Sequence, residues 1–361
     1  MDTNIRYVRA DDGVSIAYRV LGSGPPLVIM PTLLSHIEFE WQTSRRGLYE
    51  RLAEHHQVVR YDGRGQGLSD REPADLSLAA QVSDLDAVVR GLGLDKVSLL
   101  AQSHAGPAAI AYAADRPEKM ARLVLCVTFA RLADLFAAPL MQTLLPLAEQ
   151  DWSLFAMTLS HARVGWTKPE SSKESAALFQ ASITPEFFQR FLSSAAKLDA
   201  SDRLDHVQAP TLVIHPRDFT ILEPAISSQL ASTIPNAQLF LVSGSANSLF
   251  TDDDDEALLE IERFLGVHEG VRAPVVSMPR YLRNRSPELT SREVETLRLL
   301  AVGHHNKEIA QLMNLSIHTV ERHIANIYAK LGAHGRVEAT AHAIRSGIVS
   351  ASGHWQETES L

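Results

Sequence analysis

A serine set between small residues follows an apolar run in the first third of the chain. Residues 97–100 are apolar, and residues 101–106 read Ala-Gln-Ser-His-Ala-Gly. A tight strand-to-helix turn that exposes a serine for nucleophilic attack needs small residues two positions before and after it. Those positions are Ala101 and Ala105. Ser103 is therefore a candidate nucleophile for acyl transfer, and the alternative is a serine that only caps the following helix.

The elements that would position Ser103 alternate along the first 125 residues. Short apolar runs at 26–30, 57–60, 97–100 and 123–127 predict buried strands, with amphipathic segments such as 76–92 between them. Strands that alternate with helices indicate a mostly parallel sheet covered by helices on both faces. Ligands bind such sheets at the carboxyl ends of the strands, so the residues directly after each run are the candidate site.

The segments after these runs follow one another in the order found in a known superfamily. They are the loop 31–41, the DGRGQGLSD motif at 62–70, the serine turn, the strand-Asp segment 209–218 and the last strand and loop 237–250. Over residues 5–265 this order resembles the α/β-hydrolase superfamily. The apolar helical segment at about 128–205 looks like the cap of such hydrolases, and an apolar cap favours an apolar or aromatic small molecule.

The resemblance assigns a catalytic triad from which the base is missing. It makes Ser103 the nucleophile and Asp218 the acid, but Asn247 stands where the family has histidine. A carboxamide does not accept a proton at neutral pH, and loss of the base of a serine triad costs on the order of 10⁶ in turnover in one protease. Asn247 can still donate to Asp218 and accept from Ser103. We therefore expect a degenerate triad that binds without turnover; the alternatives are a base rescued by another histidine or an asparagine introduced into the sequence.

The residues expected to contact the ligand lie in the loop after the first strand, at the serine turn and in the last loop. They are Thr32, Leu33, His36, Ser103, His104 and Asn247. For His36 the alternative is a hydrogen-bonded loop histidine, and the ring of His104 is expected to point away from Ser103. The single cysteine, Cys126, excludes an intrachain disulfide and a thiolate metal cluster. No metal and no cofactor are expected.

The segment after residue 289 predicts a bundle of short helices. Thr290 and Glu293 form a capping-box pattern that opens the first helix, and Asn306 is expected to cap the second. A three-residue turn at 314–316 leads to a third helix, and a fourth is expected at about 337–346. Two helices joined by such a turn are typical of the helix-turn-helix motif.

Matches at many fixed offsets over about 60 residues give this segment a close resemblance to the LuxR-type DNA-binding domain. They include LTSRE at 289–293, NKEIA at 306–310 and Ser316-x-x-Thr319-Val320-x-x-His323. The resemblance places the third helix in the major groove of double-stranded DNA. It implies that Glu321 and Arg322 face base edges, with Ala325 and Asn326 alongside. Residues expected to hold phosphates or sugars are Lys307, Ser316, Thr319, His323 and Lys330.

Charge is divided unequally between the two parts of the chain. The net charge of −9 is the sum of −11 over residues 1–267 and +2 over residues 268–361. The proline-containing stretch 268–288 predicts a linker between a domain at 1–267 and another at 289–361. No run of 18 apolar residues and no signal peptide are found, so we expect no membrane contact and a cytoplasmic location.

Together these patterns predict an α/β-hydrolase fold followed by a small all-α helix-turn-helix domain. The predicted function is a ligand-responsive transcriptional regulator that binds DNA as a homodimer and contacts RNA polymerase. The resemblance places the dimer contact on the fourth helix, at Ala339, Ala343 and Ile344. The alternative is an active serine hydrolase, acting on an ester or a lactone, fused to a DNA-binding domain.

Overall fold

An eight-stranded sheet organises the first of two units, Met1–Gly270 and Val271–Leu361, in the computed structural model. The structure describes residues 4–166, 168–219, 221–243, 255–267, 289–302, 304–313, 315–331 and 339. The predicted linker 268–288, Asn247, Ala343 and Ile344 lie outside these residues. Each unit is described by itself.

The sheet is mostly parallel. Among the described residues its order is β1-β2-β4-β3-β5-β6-β7-β8, and only the β1–β2 and β2–β4 pairs are antiparallel. The strands are β1 (Arg6–Arg9), β2 (Ser15–Leu21), β3 (Pro26–Ile29), β4 (Gln57–Tyr61), β5 (Val97–Ser103), β6 (Met120–Thr128), β7 (Thr211–Pro216) and β8 (Ala237–Val242). The four predicted apolar runs form β3 to β6, which confirms the predicted fold class.

Helices cover both faces of the sheet, because the strands bury alternate residues on opposite sides. In β6, Leu123 and Leu125 belong to one core cluster, whereas Val124 and Cys126 belong to the other. The helices are α1 (Arg45–Ala53), α2 (Leu78–Gly91), α3 (Gly106–Asp115), α4 (Leu132–Ala137), α5 (Pro139–Gln150), α6 (Trp152–Val164), α7 (Pro169–Ser182), α8 (Pro185–Ser194), α9 (Pro224–Thr233) and α10 (Asp255–Leu265). Helices α4 to α8 follow β6 and precede β7, in the segment expected to form the cap.

The second unit contains three described helices around a small apolar core. They are α11 (Ser291–Val302), α12 (Asn306–Leu312) and α13 (Ile317–Leu331). The core contains Leu297 and Leu300 of α11, Ile309 of α12 and, from α13, Val320, Ile324 and Ile327. Ala339 is also fully buried in this core, so it does not offer the surface expected of a dimer contact.

The helix starts of the second unit confirm one capping prediction and correct another. The backbone N–H of Thr290 donates to the Glu293 carboxylate at 2.7 Å, and the N–H of Glu293 donates to the Thr290 hydroxyl at 3.3 Å. The N-cap of α12 is His305 rather than the predicted Asn306, which is the first helical residue. The cause is Glu308, whose carboxylate accepts the backbone N–H of His305 at 2.9 Å. None of the described helices is long and apolar enough to cross a membrane.

Candidate functional site: an apolar cavity and a helix-turn-helix

Ser103 occupies a strained turn between β5 and α3. Its φ angle is 51°, in the left-handed region that non-glycine residues rarely adopt. The hydroxyl of Thr128 donates to the carbonyl oxygen of Ser103. A Cβ added at Gly106 would lie 1.9 Å from Thr128 Oγ1, so the close approach of α3 to β6 requires glycine. This strand-turn-helix geometry is the one that a nucleophile elbow requires.

A β-bulge in β6 lies directly beside this turn. Gln102 pairs with Cys126 and Ser103 with Thr128, so Val127 is the extra residue. Val127 has a φ of 45°, which is strained for a residue with a β-branched side chain. It lines the same cavity as Ser103. The sequence indicated only a buried strand here, since a bulge leaves no mark in an apolar run.

Ser103 lines a cavity whose walls are mostly apolar. Its empty volume is about 700 Å³, which includes space open to solvent. Phenylalanine, leucine and methionine side chains come from the helices between β6 and β7 and from the loop after β7. Of the predicted ligand contacts, the structure brings Thr32, Leu33, Ser103 and His104 together around this cavity. Their contact with a ligand stays a prediction.

An aromatic cluster holds one wall of the cavity. The rings of Trp152 and Phe179 stack with centroids 5.0 Å apart, and the rings of Phe155 and Phe188 lie 5.2 Å apart. Phe179 and Phe188 line the cavity, and Trp152 and Phe155 support them from α6. Because these rings bury a large apolar area, they favour an apolar ligand in the space they enclose.

The DGRGQGLSD motif fixes the loop that carries Thr32 and Leu33. The buried Asp62 carboxylate accepts the backbone N–H groups of Ile37 at 3.0 Å and Leu68 at 2.8 Å. Burial raises the pKa of Asp62 to about 7, although these two hydrogen bonds act in the opposite direction. The motif therefore connects the loop after β3 to the loop after β4. In the described structure it holds these two loops in place.

No histidine ring in the described part of the chain is hydrogen-bonded to the side chain of Ser103. His104 is buried against Phe191, with ring centroids 5.4 Å apart, and burial lowers its pKa to about 3. His215 is bonded instead to Ser227 Oγ at 2.8 Å and to the Leu222 carbonyl at 3.1 Å. Burial lowers the pKa of His215 to about 4, so both imidazoles are neutral at neutral pH.

His36 does not line the cavity that Ser103 lines, and Asp218 lies in an exposed position. His36 is not among the described residues that line the cavity, and its Nδ1 accepts the backbone N–H of Phe39 at 3.2 Å. This favours the alternative of a loop histidine. Asp218 lies two residues after β7 and is exposed. Because Asn247 is outside the described residues, its pairing with Asp218 and Ser103 stays a prediction.

Arg163 lines the cavity, although the sequence did not predict it as a ligand contact. It lies in the last turn of α6 and lines the cavity with Ser103 and His104. Burial and, to a smaller extent, the charge of Arg45 lower its pKa to about 9. Within the described residues Arg163 makes no hydrogen bond and no ion pair. Its only sequence signal is a basic residue at the end of an apolar helix.

The outer face of α13 carries the residues expected to read DNA. Glu321, Arg322 and Asn326 are exposed, whereas Val320 and Ile324 are buried on the opposite face. This placement leaves the three polar side chains free of the core, and base contact by them stays a prediction.

The residues expected to hold the DNA backbone are in different settings. Lys307 is exposed and His323 is half-buried. Ser316 Oγ accepts the backbone N–H of Thr319 at 3.1 Å, and the two hydroxyls lie 2.8 Å apart, so this pair caps the start of α13. Lys330 Nζ is engaged with Glu293 at 2.5 Å. No group of three potential metal-ligating side chains occurs in the part of the chain that is described.

Two family models match the chain. The model described as "alpha/beta hydrolase fold" matches residues 25–254. The model described as "Bacterial regulatory proteins, luxR family" matches residues 287–343. An uncharacterised protein of Mycobacterium bovis is 23% identical over 323 residues, which covers 83% of this chain and 93% of the relative.

Two further relatives each correspond to one part of the chain. The nitrate/nitrite response regulator NarP of Escherichia coli is 36% identical over 110 residues, covering 27% of this chain and 49% of its own length. The crystal structure of an esterase from a Rhodococcus species matches with a TM-score of 0.64 and 23% identity, covering 72% of this chain and 98% of the esterase. At this identity the likeness to the esterase shows the fold.

Proposed function

The chain belongs to the α/β-hydrolase fold family and carries a LuxR-family DNA-binding domain, and from this we propose that its first domain senses a small molecule. In this proposal residues 1–267 bind the effector, 268–288 are a linker and 289–361 bind DNA. The protein acts as a homodimer in the cytoplasm, where it contacts chromosomal DNA and RNA polymerase.

The observation that carries the proposal is the setting of Ser103. It has the strained backbone of a nucleophile elbow and lines an apolar cavity, yet no described histidine is hydrogen-bonded to its side chain. A serine hydroxyl needs a neighbouring base to become a nucleophile. The asparagine at position 247 supports the same conclusion from the sequence. A site of this kind retains its ligand rather than converting it.

Regulation requires that the ligand distinguish two states of the protein. A ligand that binds both states equally shifts no equilibrium, however tight the binding. We propose that the DNA-competent and DNA-incompetent states differ in the cavity walls formed by α4 to α8. In the DNA-binding domain, Arg322 and Glu321 read bases, with Asn326 beside them. Lys307 and His323 hold the backbone, as do Ser316 and Thr319 through their hydroxyl groups.

The proposal is tested with the full chain, an operator selected from random DNA and effectors found by thermal shift. Saturating binding raises the melting temperature of the first domain, because the ligand stabilises the folded state. Each compound that does so is then added to a fluorescence-anisotropy titration of the operator. We expect at least one compound to change the operator affinity about tenfold or more, which corresponds to about 1.4 kcal/mol of coupling. If every compound that binds the first domain leaves operator affinity unchanged, the sensor function is wrong.

A second candidate is a working hydrolase, favoured by the nucleophile-elbow geometry of Ser103 and by the fold shared with an esterase. In that case the protein cleaves an ester or a lactone, and a base outside the described residues activates Ser103. Hydrolysis of 4-nitrophenyl butyrate by the wild-type chain distinguishes the two candidates. Turnover that disappears in Ser103→Ala would establish the hydrolase, whereas equal background rates in both proteins agree with the sensor.

A further inference from the structure

Arg163 brings to an apolar cavity a positive charge that has no partner among the described residues. Of the described residues that line this cavity, none is acidic. Two buried arginines of the same unit have carboxylate partners: Arg60 lies 2.7 Å from Glu40, and Arg64 lies 2.7 Å from Asp84. Arg163 has no such partner within the described part of the chain. Its charge is therefore not balanced by the side chains described around it.

A guanidinium that loses water without gaining a partner is costly for the folded protein. Charged groups that leave water are normally paired, because desolvation without a partner is strongly unfavourable. Burial has lowered the pKa of Arg163 to about 9, which still leaves the side chain charged at neutral pH. The low local dielectric that makes this charge costly also strengthens its attraction for an anion that enters the cavity.

We propose that the effector is an apolar carboxylic acid, bound as its anion with the carboxylate on Arg163. This inference rests on the proposed sensor function and names its ligand class. The planar guanidinium fork matches the two oxygens of a carboxylate. The hydrocarbon part of the acid packs against the phenylalanine side chains that line the cavity, among them Phe136, Phe179 and Phe188.

A carboxylate ligand also agrees with the chemistry around Ser103. A carboxylate is a poor electrophile, because its negative charge opposes attack on the carbonyl carbon. Binding of such a ligand therefore needs no general base, and neutral His104 beside Arg163 adds no second positive charge. The cavity is suited to hold an acid without converting it.

The test compares matched charged and uncharged probes on the full chain. The probes are 4-phenylbutanoate and decanoate, each paired with its primary amide, and binding is measured by calorimetry at pH 7.5. We expect each acid to bind the wild type about tenfold tighter than its amide, because hydrogen bonds between two charged groups are stronger than those to a neutral amide. In Arg163→Met this preference disappears, and in Arg163→Lys it is reduced but present. The matched control is Arg131→Met, because Arg131 lies directly before α4, is exposed and pairs with Asp134. We expect the Arg131→Met variant to keep the preference for the acids.

Several outcomes would overturn the inference. These are amides that bind the wild type as tightly as the acids, an acid preference that survives in Arg163→Met, or no binding of either acid at about 1 mM. Melting curves show whether Arg163→Met folds, and we expect an unchanged or higher melting temperature because an unpaired charge has been removed. If this variant does not fold, Arg163→Gln replaces it.

Failure of this inference is distinguishable from failure of the sensor function. Acids that bind through Arg163 but leave operator affinity unchanged would preserve the ligand class and reject the regulation. An uncharged compound that binds the cavity and changes operator affinity, while neither acid binds, would preserve the regulation and reject the acid.

Discussion

Lys330, in the last turn of α13, lies 2.5 Å from the carboxylate of Glu293 in the first turn of α11. The same carboxylate accepts the backbone N–H of Thr290 at 2.7 Å and its hydroxyl at 2.9 Å. Burial raises the pKa of Glu293, but the bonds from Lys330 and Thr290 outweigh that effect and leave it below its ordinary value. One carboxylate therefore caps α11 and holds the end of α13.

Replacing Lys330 with methionine should destabilise the second unit. Loss of a hydrogen bond to a buried charged group costs about 1–3 kcal/mol. We expect faster hydrogen exchange of the α11 and α13 amides in Lys330→Met, measured in the full chain. Lys307→Met is the control, because Lys307 is exposed on α12. Unchanged exchange together with weaker DNA binding would instead support the predicted phosphate contact of Lys330.

Replacing Gly106 with alanine should disrupt the turn at Ser103. The new Cβ would lie 1.9 Å from Thr128 Oγ1 and 2.7 Å from the Phe129 carbonyl oxygen, so backbone must move. Overpacking of this kind costs about 1–3 kcal/mol, which urea unfolding at pH 7.5 measures. The control is Gly47→Ala in α1, where an added Cβ meets nothing within 4 Å and helix propensity favours alanine. Equal effects of the two substitutions would show that the space beside Thr128 is not limiting.

His104 and His215 should each lower the stability of the first domain as the pH drops below 6.5, an effect that the raised pKa of Asp62 opposes. Burial lowers the pKa of His104 to about 3 and that of His215 to about 4, from an ordinary 6.5. Below pH 6.5 the unfolded chain binds a proton at each imidazole and the folded chain does not. The stability that these two imidazoles contribute is therefore complete above pH 6.5 and is lost as the pH falls toward their folded pKa values of about 3 and about 4. Between pH 7.5 and 5.5 each histidine contributes a loss of about 1 kcal/mol.

Urea unfolding of three proteins at these two pH values checks the histidine prediction. His104→Gln should lose about 1 kcal/mol less than the wild type on acidification, since glutamine does not titrate. His206→Gln should behave like the wild type, because His206 is exposed. An acid loss in His104→Gln as large as that of the wild type would contradict the assignment.

The sequence could predict the features that depend on local chemistry. The small residues around Ser103 predict its turn because larger side chains do not fit there, and Thr290 with Glu293 predicts a helix start. It could not predict that Arg163 has no partner among the described residues, because this depends on the side chains that surround the cavity in the folded chain. The partner of Lys330 is 37 residues away along the chain, so local sequence alone indicated only an exposed cation. The bulge at Val127 is likewise a property of pairing between strands.

Restoring the family histidine should create some hydrolase activity. The sequence places Asn247 where related hydrolases have the base, and Ser103 already has the backbone geometry of an elbow. We expect Asn247→His to hydrolyse 4-nitrophenyl butyrate above the wild-type rate, because imidazole can take the serine proton. The double variant Ser103→Ala/Asn247→His is the control and should return to background. A folded Asn247→His variant without activity would place the base position elsewhere.

Arg322 and Lys307 should affect DNA binding in different ways. Both are exposed, Arg322 on the outer face of α13 and Lys307 on α12. If Arg322 reads a base edge, Arg322→Ala should lose about 1–3 kcal/mol on the selected operator and tolerate changes at one base pair. If Lys307 holds a phosphate, Lys307→Ala should weaken all sequences equally and reduce the salt slope by about one. Anisotropy titrations of the operator and of its single-base variants, at several salt concentrations, measure both effects. An equal loss on every sequence for Arg322→Ala would assign Arg322 to the DNA backbone and leave base reading to Glu321 and Asn326.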